Sequence, residues 1–236
     1  MTTTTRTYLV VGGTSGIGLE ISRALTARGD RVVLTGRDAE RATEVAAGLG
    51  ESAAGIALDL AQPETIAASL AGVGDVHGLV IAGVERDSNT VRDFDIAGAT
   101  RIATLKLVGY AETIHALGER LSNSTETGIV LFGGVARYRP YPGSLTVSTV
   151  NGGVEGLGTA LSVELAPIRV NVLHPGIIGD SPFWSGKEQA LAAYRSRTPG
   201  GELATVADVV GAALFLLDNR GISGEQLHVN RATLAS

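Results

Sequence analysis

The fold is decided by the stretch Tyr8–Gly18, which reads YLVVGGTSGIG. Its first four residues form a short apolar run, which indicates a buried strand. The glycines that follow are spaced G-x-x-x-G-x-G and open a helical pattern over 16–28. In such a turn Gly12 permits the tight bend, Gly16 lets the backbone approach an anion, and Gly18 lets the helix pack close to the sheet. This strand, turn and helix predict a dinucleotide-phosphate site, with the anion at the helix N-terminus near Thr14, Ser15 and Ile17.

The same alternation of apolar runs and helical patterns continues along the chain. Strands are predicted at 31–35, 55–58, 78–82, 128–132, 169–173 and 226–229, and helices at 38–49, 64–70, 91–121, 144–165 and 206–217. Continuous apolar strands between helices are typical of a parallel sheet covered on both faces. We therefore predict a single α/β domain over 1–236, a doubly wound parallel seven-stranded sheet (Rossmann fold). The irregular segment 177–201 is predicted to form a substrate lid.

Composition excludes several classes of function. The 236 residues are 44% hydrophobic, carry a net charge of −5 and include no cysteine. Disulfides and thiolate chemistry are therefore excluded, and no basic run favours nucleic acid or a membrane as a partner. We expect no metal site. No apolar run is long enough to span a bilayer, and the N-terminus, with its threonines at 2–5, has no apolar h-region of the kind that a signal peptide needs, so we expect a cytoplasmic protein without a signal peptide.

Motifs spread over nearly the whole chain resemble those of the short-chain dehydrogenase/reductase family. Besides the glycine-rich turn, these are Asp59 after the third strand, Ala82-Gly83 after the fourth, the helical stretch 151–167, the I-R-V-N and P-G segments at 168–171 and 175–176, and I-S-G at 222–224. The resemblance implies that Asp59 and Leu60 lie at the adenine, that Ala82 and Gly83 line the dinucleotide, and that Pro175, Gly176 and Ile178 lie at the nicotinamide.

The end of the second strand bears on the choice between NAD and NADP. An NAD site usually places a carboxylate there, but this strand ends in Thr35-Gly36-Arg37. A guanidinium can pair with the 2′-phosphate of NADP, so we favour NADP (NADPH) over NAD. The alternatives are that Arg37 is a solvated loop residue, and that Asp38 either pairs with it or only caps the next helix.

The groups that the resemblance implies for catalysis are missing. The family uses a Y-x-x-x-K motif, a serine after the fifth strand and an asparagine in the preceding helix. Aligned without gaps, these positions hold Val147 and Asn151, Gly134, and Lys106. Valine has no proton to give, an asparagine side chain has no charge, and glycine has no hydroxyl, so the family mechanism cannot run with these residues.

Other side chains could supply the proton. Lys106 could reach the vacated lysine position from a neighbouring helix, and Tyr138 or Tyr141 could donate from the loop after Gly134. The alternatives are a solvated lysine and tyrosines that anchor the loop. His174, Phe183 and Trp184 are predicted to contact the substrate, although the histidine could be structural and the two aromatic residues could belong to the core.

Three functions fit these observations. The first is an NADP(H)-dependent oxidoreductase that acts on a carbonyl or alcohol of a small, apolar substrate with a non-standard proton donor. The second is a non-redox catalyst, such as a cyclase, isomerase or dehydratase, and the third is a non-catalytic regulatory subunit. Glycines at 152, 153, 156 and 158 weaken their helix unless close contacts compensate. In the family that the chain resembles, this helix often forms a dimer interface, so the resemblance implies a homodimer or homotetramer.

Overall fold

A computed structural model describes residues 5–234, so the prediction for the threonines at 2–4 lies outside the described residues. The strands are β1 (Thr7–Val11), β2 (Arg31–Gly36), β3 (Ala53–Ala57), β4 (Gly78–Ile81), β5 (Gly128–Phe132), β6 (Arg169–Pro175) and β7 (Gln226–Val229). The helices are α1 (Gly16–Ala27), α2 (Ala39–Ala47), α3 (Pro63–Ser69), α4 (Ile96–Ala103), α5 (Gly109–Leu117), α6 (Leu145–Glu164), α7 (Glu188–Arg195) and α8 (Val206–Asp218).

The seven strands form one parallel sheet in the order β3-β2-β1-β4-β5-β6-β7, which confirms the predicted doubly wound fold. Alternate residues of β1 point to opposite faces, because strand side chains alternate. Leu9 and Val11 join the core under α3, α5 and α6. Val10 joins the core under α1, α2 and α8. Burial on both faces explains why the strands read as continuous apolar runs.

Two helical predictions need correction. The helix predicted from 91 begins only at Ile96, because Asn89 Oδ1 accepts the N–H of Asp95 and a turn closes from Thr90 N to Asp93 O. The same helix is interrupted by a π-helical segment, Thr104–Val108, between α4 and α5. The segment 177–201 is less irregular than predicted, since it contains α7 and two 3₁₀ turns, Pro182–Trp184 and Pro199–Gly201.

None of the helices within residues 5–234 combines the length and apolar character needed to cross a membrane.

Candidate active site

A cavity of about 990 Å³ opens where the strands end at their carboxyl termini, the edge at which parallel sheets bind ligands. The loop after β5 and the segment 177–201 close its other side. Every residue predicted to bind the cofactor lines this cavity: Gly12, Thr14, Ser15, Gly16, Ile17, Gly18, Arg37, Asp59, Leu60, Ala82, Gly83, Pro175, Gly176 and Ile178. The fold thus brings together residues that lie up to 166 positions apart in the sequence.

The turn Gly12–Gly18, here called the glycine loop, has the form of an anion cradle. A Cβ on Gly18 would lie 2.2 Å from the carbonyl oxygen of Gly12, so the first turn of α1 sits directly against the loop. Gly16 has φ +54, and a Cβ there would meet nothing within 4 Å. No side chain caps the N-terminus of α1. The first N–H groups of this helix thus lack a side-chain partner at the edge of the cavity, which fits a pyrophosphate.

Four charged side chains form a network at the far end of the cavity. Arg37 Nη1 donates to Glu85 Oε1 at 2.9 Å. Arg101 bonds the same carboxylate through Nε and Nη2, and its Nη2 lies 3.1 Å from Asp59 Oδ2. Asp38 does not pair with Arg37, because its Oδ1 caps α2 by accepting the N–H of Arg41.

The end of β2 has no room for a carboxylate side chain. A Cβ on Gly36 would lie 2.5 Å from Thr14 Cγ2. The glycine at this position is therefore tied to the packing of the glycine loop. Arg37, the residue directly after β2, is the charged side chain that reaches the cavity here, and 70% of it is exposed.

The four positions that align with the family's catalytic groups all line the cavity, and we call them the catalytic centre: Gly134, Val147, Asn151 and Lys106. Lys106 contributes the ammonium group. Its Nζ donates to the carbonyl oxygens of Phe132 at 2.6 Å and Gly133 at 3.3 Å, and to Asn151 Oδ1 at 3.4 Å. The ammonium thus lies beside Asn151, the residue at the position where the family resemblance implies a lysine. The side chain projects from the π-helical segment, a type of distortion that often marks functional sites.

Asn151 takes the space that a serine at position 134 would need. An ideal Cβ on Gly134 would lie 2.7 Å from Asn151 Nδ2. Since an ammonium can only donate, the amide oxygen must face Lys106, and Nδ2 therefore points towards Gly134. The amide thus connects Lys106 to the place where the family serine hydroxyl would stand.

Burial is the main cause of the unusual acidity of Lys106. The residue is 2% exposed, and no carboxylate lies among its hydrogen-bond partners. Desolvation, with a smaller contribution from the positive charge of Arg86, lowers the pKa of Lys106 to about 7. A lysine with this pKa can both give and take a proton near neutral pH.

The two predicted tyrosines have different positions. Tyr141 lines the cavity, and burial raises the pKa of its phenol. Tyr138 lies outside the cavity, because the turn after β5 carries it round to α6. There its hydroxyl donates to Glu155 Oε2 at 2.9 Å, and its ring packs edge-on against His228. The structure therefore gives Tyr138 the anchoring role, and its prediction as a proton donor is wrong in position.

The prediction that His174 contacts the substrate is also wrong. It is fully buried and does not line the cavity. Its Nδ1 accepts the N–H of Gly134 at 3.1 Å, so the ring proton must sit on Nε2, which then donates to Gln226 Oε1 at 2.9 Å. Burial lowers the pKa of His174 and keeps the ring neutral. This histidine supports the backbone at Gly134 from behind.

Phe183 and Trp184 line the cavity as predicted, on the 3₁₀ turn Pro182–Trp184. Their rings meet edge to face with centroids 4.9 Å apart, and Trp184 packs similarly against Tyr194 of α7. The Phe183 ring also contacts Arg86 and Lys187. We call this side of the cavity, from the loop 139–142 to the segment 177–201, the lid half.

Several residues of the cavity carry no motif and were not predicted. Glu85 and Arg86 follow the recognisable Ala82-Gly83 pair, while Lys187 and Arg197 belong to the segment 177–201. Arg101, which holds Glu85 and Asp59, lies on α4. The sequence did single out the lysines, because it contains only two, Lys106 and Lys187. Both line the cavity.

The comparisons with known proteins agree with this geometry. The family described as enoyl-(acyl carrier protein) reductase matches residues 11–231. The chain is 30% identical to the 3-oxoacyl-[acyl-carrier-protein] reductase of Bos taurus, covering 94% of each chain, and 31% identical to carbonyl reductase family member 4 of Danio rerio, covering 95% of this chain and 96% of that one. A solved structure of a short chain dehydrogenase/reductase family protein superposes with a TM-score of 0.87 at 29% identity over 98% of both chains.

Proposed function

The chain belongs to the short-chain dehydrogenase/reductase family of oxidoreductases, and from that premise we propose that it is an NADP(H)-dependent reductase of a carbonyl compound with Lys106 as its proton donor. The observation that carries the proposal is the position of Lys106 Nζ, which is buried in the cavity and 3.4 Å from Asn151 Oδ1. The reverse reaction, oxidation of the alcohol, uses the same groups.

The glycine loop, Asp59, Gly83 and the segment after β6 would hold the dinucleotide. The open space above Gly16 and the uncapped N-terminus of α1 support the pyrophosphate position. When bound, the reduced nicotinamide supplies a hydride to the carbonyl carbon. Arg37 supports NADP, because its exposed guanidinium can exchange Glu85 for the 2′-phosphate, and because no carboxylate fits at position 36.

Lys106 is the source of the proton that the carbonyl oxygen takes up. Two of its three hydrogen bonds are long, to Gly133 O at 3.3 Å and to Asn151 Oδ1 at 3.4 Å, so one of these N–H groups can turn to a substrate oxygen at little cost. The proton passes from Nζ to that oxygen, the product leaves as an alcohol, and Lys106 is left as a neutral amine. Solvent then restores its proton.

Asn151 has two tasks in the proposed reaction. Its amide oxygen holds Lys106 in place, and its Nδ2 faces the position of the missing serine hydroxyl. A donor there can bind the carbonyl oxygen and stabilise the negative charge that develops on it. The amide is the better donor because Lys106 withdraws electron density from its oxygen.

The test compares Lys106→Met with Tyr141→Phe and Tyr138→Phe in NADPH-dependent reduction of an aromatic aldehyde. A positioned general acid contributes about 10²–10⁴-fold, so we expect Lys106→Met to lose at least ~100-fold in kcat while NADPH still binds. Tyr138→Phe is the matched control and should retain full activity, because its hydroxyl is bound to Glu155. Full activity of Lys106→Met with loss in Tyr141→Phe would move the donor to the tyrosine.

The pH dependence tests the same assignment. Reduction needs protonated Lys106, so kcat for reduction should fall as pH rises through about 7, while kcat for alcohol oxidation should rise over the same range. The two lysines allow a direct measurement, because ¹³C-lysine incorporated during expression labels only Lys106 and Lys187. A lysine signal that titrates near 7 and disappears in Lys106→Met supports the proposal. Substrate conversion without NADPH oxidation would instead favour a non-redox catalyst.

A further inference from the structure

The Phe183 ring holds two cations in the lid half. Its centroid lies 3.9 Å from Arg86 Cζ and 3.5 Å from Lys187 Nζ. The separation of the two positive charges therefore cannot exceed the sum of these two distances. The face of the ring attracts each cation, but the cations repel each other. The arrangement brings together two like charges that come from different parts of the chain.

Neither cation pairs with a carboxylate of residues 5–234. Within the part of the chain that the structure describes, no salt bridge involves Arg86 or Lys187. Two carboxylates line the cavity, and both have other partners. Glu85, which directly precedes Arg86, pairs with Arg37 and Arg101, and Asp59 pairs with Arg101. Arg139 and Arg197 also line the lid half, whereas the two cations that repel each other across the Phe183 ring are Arg86 and Lys187.

An anion placed between these cations would remove their repulsion and replace weak ring contacts by ion pairs. The rings of Tyr141, Phe183 and Trp184 line the same half of the cavity, and Tyr141 and Phe183 are exposed enough to contact a bound molecule. The same rings offer contact area to an apolar or aromatic group. The lid half thus fits a molecule with two parts, one charged and one apolar.

We infer that the substrate is a carbonyl compound with an anionic group, a carboxylate or a phosphate, next to an apolar body, and that Arg86 and Lys187 bind that group. The inference rests on the proposed function, since it places the reacting carbonyl at Lys106 and Asn151. It changes the expectation of a purely apolar substrate to one with a charged end.

The test is binding rather than turnover, so it does not depend on the reaction. Calorimetry on the complex with NADP⁺ compares 2-naphthoate with its neutral isostere 2-naphthamide, and 2-naphthyl phosphate distinguishes phosphate from carboxylate. The variants are Arg86→Met and Lys187→Met. Arg195→Met is the matched control, because it removes one positive charge from α7 at a residue that does not line the cavity.

We expect the native protein to bind at least one of the two anions about 10-fold more tightly than the amide, equivalent to ~1.4 kcal/mol. Arg86→Met and Lys187→Met should each remove most of that preference and leave amide binding within about twofold, whereas Arg195→Met should change neither. Equal affinity for anions and amide, or failure to bind any of the three, overturns the inference.

One further outcome also contradicts it. If the two cations hold a phosphate of the cofactor instead, Arg86→Met or Lys187→Met would weaken the binding of NADP⁺ and leave the preference for the anion unchanged. Failure of the proposed function looks different, because it appears as NADPH that is never oxidised by any carbonyl compound while the binding preference for anions is intact.

Discussion

The glycine loop and the catalytic centre lie in one cavity but depend on different parts of the chain. The glycine loop is built from backbone, and its shape is fixed where no Cβ fits, as at Gly18 against the carbonyl of Gly12. The catalytic centre is built from side-chain ends, and here the ammonium of Lys106, from the π-helical segment, bonds the amide of Asn151 on α6. A backbone site is tied to its sequence positions, whereas a side-chain site can be rebuilt from a neighbouring element.

The largest effect is expected from placing a methyl group in the glycine loop. In Gly18→Ala the new Cβ would meet Gly12 O at 2.2 Å and Gly12 C at 2.9 Å, both backbone atoms that cannot move without opening the loop. Such overpacking costs about 1–3 kcal/mol or more. We expect a lower melting temperature and a loss of NADPH affinity of at least ~100-fold by fluorescence of Trp184.

Gly72→Ala is the control for that experiment, since a Cβ there meets nothing within 4 Å. It should bind NADPH like the native protein. If Gly18→Ala also bound NADPH normally, the cofactor would not depend on the backbone of the glycine loop, and the contrast with the catalytic centre would fail.

The second prediction concerns the stability contributed by the catalytic centre. The pKa of Lys106 is about 7 in the folded protein and about 10.4 in an unfolded chain. Between these values the unfolded chain binds more protons, so the free energy of unfolding rises with pH, by up to ~1.4 kcal/mol per pH unit. Below pH 7 both states are protonated and the slope vanishes.

Urea unfolding at pH 7, 8 and 9 measures this slope. The free energy of unfolding of the native protein should rise by about 2–3 kcal/mol relative to that of Lys106→Met between pH 7 and 9, because the variant lacks this titration. Lys187→Met, which removes the other lysine, should run parallel to the native protein. A constant difference between the native protein and Lys106→Met would mean that Lys106 stays charged and is no proton donor near neutral pH.

The sequence predicted the two regions unequally, for the same physical reason. The order of apolar runs, the glycine spacing and short motifs such as Pro175-Gly176 were sufficient for the sheet and for the residues that line the glycine-loop side of the cavity. The position of Lys106 was also within reach, because the vacated lysine position was apparent from Asn151.

What the sequence could not supply were side-chain directions in irregular segments. Tyr138 and Tyr141 are three residues apart in one loop, yet only Tyr141 faces the cavity, because Glu155 of α6 holds Tyr138. His174 was misassigned because its partners, Gly134 and Gln226, are far from it in sequence. The pairing of Arg37 with Glu85 likewise joins loops 48 residues apart.

A third prediction sharpens the comparison at the edge of the glycine loop, where a side chain rather than backbone is proposed to select the cofactor. Arg37→Ser should weaken NADPH binding about 10–100-fold, as expected for a lost charge-assisted contact of ~1.5–3 kcal/mol, and leave NADH unchanged. Glu85→Gln should have the opposite effect and increase the affinity for NADPH a few-fold, because it weakens the hold of residue 85 on Arg37. Arg41→Ser, on the exposed face of α2 outside the cavity, is the control. Equal losses for NADPH and NADH would exclude Arg37 from recognising the 2′-phosphate.

The smallest effect is expected on α6, the helix that carries Val147 and Asn151. Packing within the chain explains two of its glycines, because a Cβ on Gly153 would lie 2.6 Å from Leu107 and a Cβ on Gly158 would lie 2.3 Å from Val172. Gly156 has none, because a Cβ there meets nothing within 4 Å. In an isolated chain Gly156→Ala should therefore stabilise α6 by about 0.5–1 kcal/mol.

In the predicted homo-oligomer, Gly156→Ala should instead lower the stability, so this single methyl group distinguishes the two states. If α6 packs closely on a second copy, the methyl group pushes the two helices apart, so we expect a lower melting temperature and a smaller particle by sedimentation. A gain in stability with unchanged mass would show that the face around Gly156 is open. The glycine would then contribute nothing to assembly, and the catalytic centre on α6 would be complete within one chain.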